Sequence, residues 1–181
     1  QNAFRGDFGI SYKYKMDVPE VIAERAGNTL LLGGTGFVLL FCLSLLLGVF
    51  CARYEGKTAD RILCRAGTVT SCIPEFWLSL LLILLFSVNL KWLPGSGAYT
   101  VGGEKDLWDR VRHLLLPMAV VVISHLWYYA YMGRNRILEE MRSDYVLLAQ
   151  AKGLTRRRVV FGHCVRNVLP SYFSIMAVSV P

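Results

Sequence analysis

Residues 29–52 read TLLLGGTGFVLLFCLSLLLGVFCA, a run of 24 residues without a charged side chain. A helix needs about 20 apolar residues to cross the hydrocarbon core of a bilayer, so this run is long enough to span a membrane. A surface helix of a soluble protein needs a polar stripe. Here only Thr35, Ser44 and several glycines interrupt the apolar residues, so the run predicts a transmembrane helix.

Three further apolar segments follow this run. They cover residues 66–90, 114–133 and 168–181, and polar or charged stretches separate them. The polar and apolar residues do not alternate persistently, as they would in the strands of a membrane barrel. We therefore expect an all-α, polytopic transmembrane helical bundle with three full spans and the start of a fourth.

The charged residues indicate how the spans are oriented. The chain is 54% hydrophobic and 18% charged, with a net charge of +7. Such a charge on a soluble protein would suggest a nucleic-acid partner, but Lys and Arg also collect in the cytoplasmic loops of membrane proteins. Stretches 53–65 and 134–166 carry 12 Lys and Arg, against 8 in 1–27 and 91–112. We therefore place the first two stretches in the cytoplasm and expect a lipid membrane, not nucleic acid, as the partner.

Sequence motifs for catalysis, metal binding or nucleotide binding are not evident. The five cysteines are odd in number and form no CxxC pair or Cys/His ligand spacing. Residues 56–58 read GKT, but a P-loop needs a first glycine where Cys51 stands, and a preceding strand. We therefore expect no enzyme activity, no metal site and no cofactor on this chain.

Three of the polar residues inside the predicted spans are candidates for a functional role. Glu75 follows Pro74 in the second apolar segment, while Ser124 and His125 lie in the middle of the third. A carboxylate at membrane depth is costly and by default marks a functional site or a wet cavity. The alternatives are that Glu75 reaches interfacial water and that Ser124 and His125 bond between helices. All three are candidates for lining a translocation path.

The basic stretch 134–166 contains a short helix signal. Asp144 can cap a helix over residues 145–152, and Gly153 suits the left-handed position that ends one. Thr155 can cap a second helix, whose first turn is Arg156, Arg157 and Arg158. Three cations there oppose the helix dipole, so anionic lipid or an acidic protein partner should offset them.

This stretch resembles a known family. Residues 143–155, SDYVLLAQAKGLT, followed by RNVLP at 166–170, resemble the cytoplasmic signature loop of ABC importer permeases, and most of all the dipeptide/oligopeptide/nickel branch. Compared with the generic signature, the chain keeps only one residue of Glu-Ala-Ala, at Ala149, and its Leu-Pro comes later. Other motifs of the branch follow in order: GDFG at 6–9, IPEFW at 73–77, WLPGSG at 92–97 and HLLLP at 113–117.

The resemblance implies one half of a permease pair in the plasma (inner) membrane. It implies a six-span subunit that imports small peptides or a related solute such as nickel, with a further span before residue 1 and more after residue 181. Its implied partners are a second permease subunit, an extracytoplasmic solute-binding protein, and cytoplasmic ATPase subunits that hold the ATP.

By the same resemblance, residues 1–27 are extracytoplasmic, 28–181 are a partial permease domain, and 134–166 are its cytoplasmic coupling loop. The helix near 144–153 would lie in the membrane plane and dock on an ATPase. The residues expected to carry this coupling are Asp144, Tyr145, Leu148, Ala149, Ala151, Lys152, Gly153 and Leu154.

Two other classes of function are compatible with a membrane bundle. A passive channel or an assembly scaffold needs neither ATP nor a docking helix. An intramembrane enzyme would have Glu75, His125 and His163 as its raw material, but these residues share no ligand or catalytic spacing.

The predicted topology is testable by cysteine labelling. In a background without native thiols, cysteines replacing Lys57 and Arg157 should react only with reagent on the cytoplasmic side. A cysteine replacing Gly97 should react only with reagent outside, because the 91–112 loop lies on the other face of the bundle. Labelling of position 97 from the cytoplasmic side alone would reverse the assigned orientation.

Overall fold

The computed structural model describes residues 8–100, 102 and 106–179. This part of the chain is built of α-helices joined by turns, with one isolated β-bridge, so the predicted all-α membrane fold is confirmed. The helices are α1 (Val18–Arg53), α2 (Thr58–Ser71), α3 (Glu75–Leu82), α4 (Leu107–Glu140), α5 (Asp144–Ala151), α6 (Arg156–Val159) and α7 (Val165–Ser179). Two π-helical segments, Ile83–Asn89 and Val160–Cys164, extend α3 and join α6 to α7.

Helix α1 is longer than the apolar run that predicts it. It begins at Val18, with Pro19 in the first turn, where a missing backbone N–H costs nothing. Its 36 residues make it about 54 Å long, while the hydrocarbon core is only about 30 Å thick. The charged first turns of α1 therefore extend beyond the hydrocarbon, and the apolar run 29–52 fills it.

The second apolar segment is broken rather than kinked. Helices α2 and α3 meet at 94° across residues 72–74, so the predicted span 66–90 is a bent helix pair, either a broken span or a re-entrant loop. Pro74 lies at the N-cap position of α3, has no N–H to donate, and disfavours helical geometry in the residue before it. Much of the basic stretch 53–65 is helical, because α2 already begins at Thr58.

Helix α4 is the centre of the fold and packs against α1, α2, α3 and α7. It begins after Asp106, whose side chain accepts a hydrogen bond of 2.9 Å from the backbone N–H of Trp108. Helices α1 and α4 are each long and apolar enough to cross a membrane, and the bent α2–α3 pair would be a third crossing. The predicted fourth span, of which α7 is the described part, stays a prediction.

The backbones of α1 and α4 approach each other closely at Gly48. A Cβ atom added to Gly48 would lie 3.0 Å from the carbonyl oxygen of Ala130 and 3.0 Å from the backbone nitrogen of Arg134. Small residues permit such close helix contacts in lipid, where hydrophobic burial does not drive association. Residue 48 therefore sets the distance between the two helices.

Tyr172 of α7 contacts both α1 and α4 where these two helices meet. Its ring lies over Gly133, and its buried hydroxyl is 2.6 Å from Ser44 Oγ of α1 and 3.1 Å from the carbonyl oxygen of Tyr129 of α4. One side chain thus bonds to two other helices. Around it pack buried apolar residues of all three helices: Leu40, Val49, Ala52, Ile137, Val168 and Met176.

Replacing Gly48 tests the close contact. We expect Gly48→Ala to push α1 away from α4, because both neighbouring atoms belong to the backbone and cannot turn aside. Such overpacking lowers the free energy of unfolding by about 1–3 kcal/mol. Gly34→Ala is the matched control, since its added Cβ meets no atom within 4 Å. Unfolding in mixed micelles measures both, and equal stability of the two variants would contradict the account.

Candidate functional site

A cleft separates α2 from the second half of α4. It has a volume of about 610 Å³ and extends along α4 from Ser124 to Arg134. We call it the α2–α4 cleft. Its wall is mostly apolar but includes residues with hydroxyl groups or thiols: Cys51, Cys64, Thr68, Ser71, Cys72, Ser124, Tyr128 and Tyr131.

The shape of the cleft depends on one glycine. The indole ring of Trp127 lies against Gly67 of α2, where an added Cβ would come within 2.4 Å of two ring atoms. Any other residue at position 67 would force the ring of Trp127 to move. Gly67 therefore lets α2 approach α4 while a large aromatic side chain remains between them.

Ser124 has an unusual environment for a polar side chain. Its Oγ is buried and has no hydrogen-bond partner among the described residues. A buried hydroxyl without a partner costs free energy, so its presence in the wall of a cleft is typical of a site that a polar molecule fills. The structure thus puts the predicted residue Ser124 in the α2–α4 cleft.

Glu75 and His125 lie together beside the cleft. Glu75 Oε1 is 3.5 Å from His125 Nε2, and this contact joins the first turn of α3 to α4. Glu75 directly follows the helix break at residues 72–74, and His125 is about 27 Å along α4 from Leu107 by helix rise, close to the middle of that helix. Both readings of Glu75, in a translocation path or reaching interfacial water, stay predictions.

A buried ion pair closes the far end of the cleft, and sequence reasoning missed it. Arg134 of α4 donates two hydrogen bonds to Asp60 of α2, from Nε at 2.9 Å and from Nη2 at 2.8 Å. The same carboxylate accepts the backbone N–H of Gly56 at 3.0 Å, and only 3% of Asp60 is exposed. The pair fixes the α1–α2 turn to the end of α4.

The short helix predicted in the basic stretch exists, with different details. Ser143, not Asp144, is at the N-cap position, and Asp144 is the first residue of α5. Gly153 follows the helix with φ of +82°, as its left-handed position predicts. Thr155 is at the N-cap position of α6 but makes no capping hydrogen bond through its side chain.

The two faces of α5 differ from the expectation. Ala149 was expected to face a partner, but it is only 8% exposed and packs with Val146, Val159 and Cys164 of its own chain. Its small size is therefore explained by packing inside the loop. The large apolar residues that face outward are Leu147 and Leu148, exposed by 59% and 57%.

Tyr145 joins α5 to the end of α4. Its hydroxyl donates a short hydrogen bond to the carboxylate of Glu140, and Ser143 Oγ donates to the Glu140 carbonyl oxygen at 2.6 Å. Burial, and next the bond to Glu140, raise the pKa of Tyr145 to about 12. The phenol therefore stays protonated at neutral pH and keeps donating, so α5 is tethered to the last turn of α4.

The remaining predicted coupling residues lie around the end of α5. Leu154 packs on the buried cluster of Val146 and Ala149, whereas Ala151 and Lys152 are exposed. Three consecutive arginines, Arg156, Arg157 and Arg158, are exposed as well, and none of them pairs with a carboxylate in the described part of the chain.

Comparison with known proteins identifies the family. Residues 44–181 match the family described as "Binding-protein-dependent transport system inner membrane component". The chain belongs to this family. The match includes the α2–α4 cleft, the Glu75–His125 pair and α5, so every site described above falls inside the family region.

Relatives of this permease transport peptides by name. The chain is 34% identical over 99% of its length to the oligopeptide transport system permease protein AppB of Bacillus subtilis (strain 168). It is 29% identical over 94% of its length to the oligopeptide transport system permease protein OppB of Salmonella typhimurium (strain LT2). It spans 57% and 54% of these two proteins, a little over half of each.

The buried ion pair of the permease makes a stability prediction. Asp60→Asn should lower the free energy of unfolding by about 1.5–3 kcal/mol, because it weakens the charge-assisted hydrogen bonds that the partly buried Arg134 guanidinium donates to residue 60. The control is Arg136→Gln, which breaks an exposed pair with Glu139 and should change stability by less than about 1 kcal/mol. Unfolding in mixed micelles compares the two, and similar small losses would mean that the Asp60 pair contributes little.

Proposed function

We propose that this chain is part of a permease subunit that moves small peptides across the plasma membrane. ATP is hydrolysed on separate cytoplasmic subunits, and a second permease subunit and an extracytoplasmic solute-binding protein complete the transporter. The family description and the names of the relatives support this proposal. Peptides are favoured over nickel, because those relatives are peptide-transport proteins by name.

The single observation that carries the coupling mechanism is the exposed apolar face of α5. Leu147 and Leu148 project from an eight-residue helix that is too short to cross a bilayer. Val146 and Ala149, on the inward side of α5, are already packed within the chain. Leu147 and Leu148 therefore remain as an exposed apolar surface. A groove on an ATPase subunit would cover these two leucines. A passive channel has no use for such a surface.

Tethering lets α5 transmit movement. The Tyr145–Glu140 bond holds α5 to the end of α4, and the packing of Val146 and Ala149 holds it to α6 and to the π-helical segment before α7. If the ATPase subunits close on ATP, a force on α5 reaches α4 directly. Since α4 also forms one wall of the α2–α4 cleft, the force would change the cleft. Glu75, Ser124 and His125 are the residues that we place along the peptide path.

Crosslinking tests the outward face of α5. We expect Leu148→Cys, in a background without the exposed Cys42 and Cys72, to crosslink to the ATPase with a yield that changes on adding ATP. Ala149→Cys, one residue further on, should crosslink poorly because its side chain faces its own chain. Leu148→Ala should lower peptide uptake several-fold while ATP hydrolysis continues, since one apolar contact of the joint is lost.

The control for folding is Ala149→Trp. The larger side chain overpacks the buried cluster and should lower the free energy of unfolding by a few kcal/mol. Loss of uptake in this variant should therefore come with a loss of stability, whereas Leu148→Ala should lose uptake alone. Equal crosslinking at positions 148 and 149, or none at 148 in any nucleotide state, would contradict docking through this face.

A further inference from the structure

The Glu75–His125 pair can bring two hydrogen-bond acceptors together without a donor between them. His125 Nδ1 is 3.2 Å from the carbonyl oxygen of Val121, which can only accept, so this contact is a hydrogen bond in the tautomer that carries its proton on Nδ1. In the neutral ring, Nε2 is then an acceptor. This acceptor faces a carboxylate oxygen of Glu75, itself an acceptor, across 3.5 Å.

Two acceptors that face each other need a group with several donors. A proton on Nε2 would supply a single donor to one oxygen of the Glu75 carboxylate. A primary ammonium supplies three N–H donors and one positive charge. It can bond to Glu75 and His125 at once and neutralise the carboxylate.

The position of the pair fits a ligand from a water-filled path. Glu75 and His125 are accessible, with side chains 59% and 37% exposed, and no Lys or Arg pairs with Glu75 among the described residues. The non-helical residues 72–74 lie directly beside Glu75, and irregular backbone at membrane depth is tolerated where it is buried in protein or lines a wet cavity. An ionisable residue in such a place is by default functional.

We infer that Glu75 and His125 bind a primary ammonium group of the transported solute. This inference rests on the proposed function and deepens it, because a small peptide carries such a group at its N-terminus and on any lysine. Glu75 supplies the charge, and His125 supplies a second acceptor that fixes the direction of the N–H bonds. The pair would therefore distinguish peptides with a free amine from peptides that lack one.

Equilibrium binding tests the inference on the full-length permease in nanodiscs. The probes are trialanine and N-acetyltrialanine, which differ in the ammonium. We expect the wild type to bind trialanine at least tenfold more tightly, and Glu75→Gln to remove this difference. Glu139→Gln is the control, because it removes an exposed carboxylate of similar size at the far end of α4 and should keep the difference.

A lysine-containing probe identifies which amine is bound. If N-acetyl-Ala-Ala-Lys binds as tightly as trialanine and depends on Glu75, the pair accepts side-chain ammonium groups as well. If it binds as weakly as N-acetyltrialanine, the pair reads the N-terminus alone. His125→Gln, which has an amide instead of the imidazole, should reduce the discrimination without abolishing it.

Three results would overturn the inference: equal affinity of the wild type for trialanine and its acetylated form, no binding of either, or a preference that survives Glu75→Gln. Uptake of trialanine by the complete transporter, measured in parallel, separates this failure from a failure of the proposed function. ATP-dependent uptake without amine discrimination would leave the permease assignment intact and remove the role of Glu75.

Discussion

The backbone contact between Gly48 of α1 and the 130–134 segment of α4 is the constraint on which the rest of the structure depends. In lipid, helices gain little by burying apolar surface against each other, so close packing and hydrogen bonds must hold them together. Gly48 permits the packing, and the Tyr172 hydroxyl adds the hydrogen bonds. Helices α1 and α7 are held against α4 by these contacts, and α2 and α3 pack on α4 as well.

Two charged pairs on α4 differ in how completely their polar groups are satisfied. At the end nearest α5, Asp60 and Arg134 neutralise each other with full hydrogen bonding and close the α2–α4 cleft. Near the middle, Glu75 and His125 meet at a longer distance and stay accessible. The first arrangement is complete in itself and suits a structural role. The second is incomplete, and incomplete polar groups at membrane depth are where a transported molecule can bind.

The sequence predicts the fold better than the faces of its helices. Uncharged runs predict the membrane helices, and the position of Gly153 follows from a backbone conformation that glycine adopts without strain. Pro74 alone indicates a disturbed helix. The 94° angle between α2 and α3 also depends on how each packs on α4, which is a tertiary effect that the sequence does not show. The Asp60–Arg134 pair joins residues far apart in the chain. In α5 nearly all residues are apolar, so no periodicity indicates that Ala149 faces inward.

Vesicle uptake tests most directly the proposal that this chain is part of an ATP-driven peptide importer. The full-length permease would be reconstituted with its partner permease and ATPase subunits and supplied with the solute-binding protein and a labelled peptide. The account predicts that peptide accumulates against its gradient only with hydrolysable ATP and stops when the permease is omitted. Peptide flux that merely equilibrates, at the same rate with and without ATP, would contradict it and indicate a passive channel.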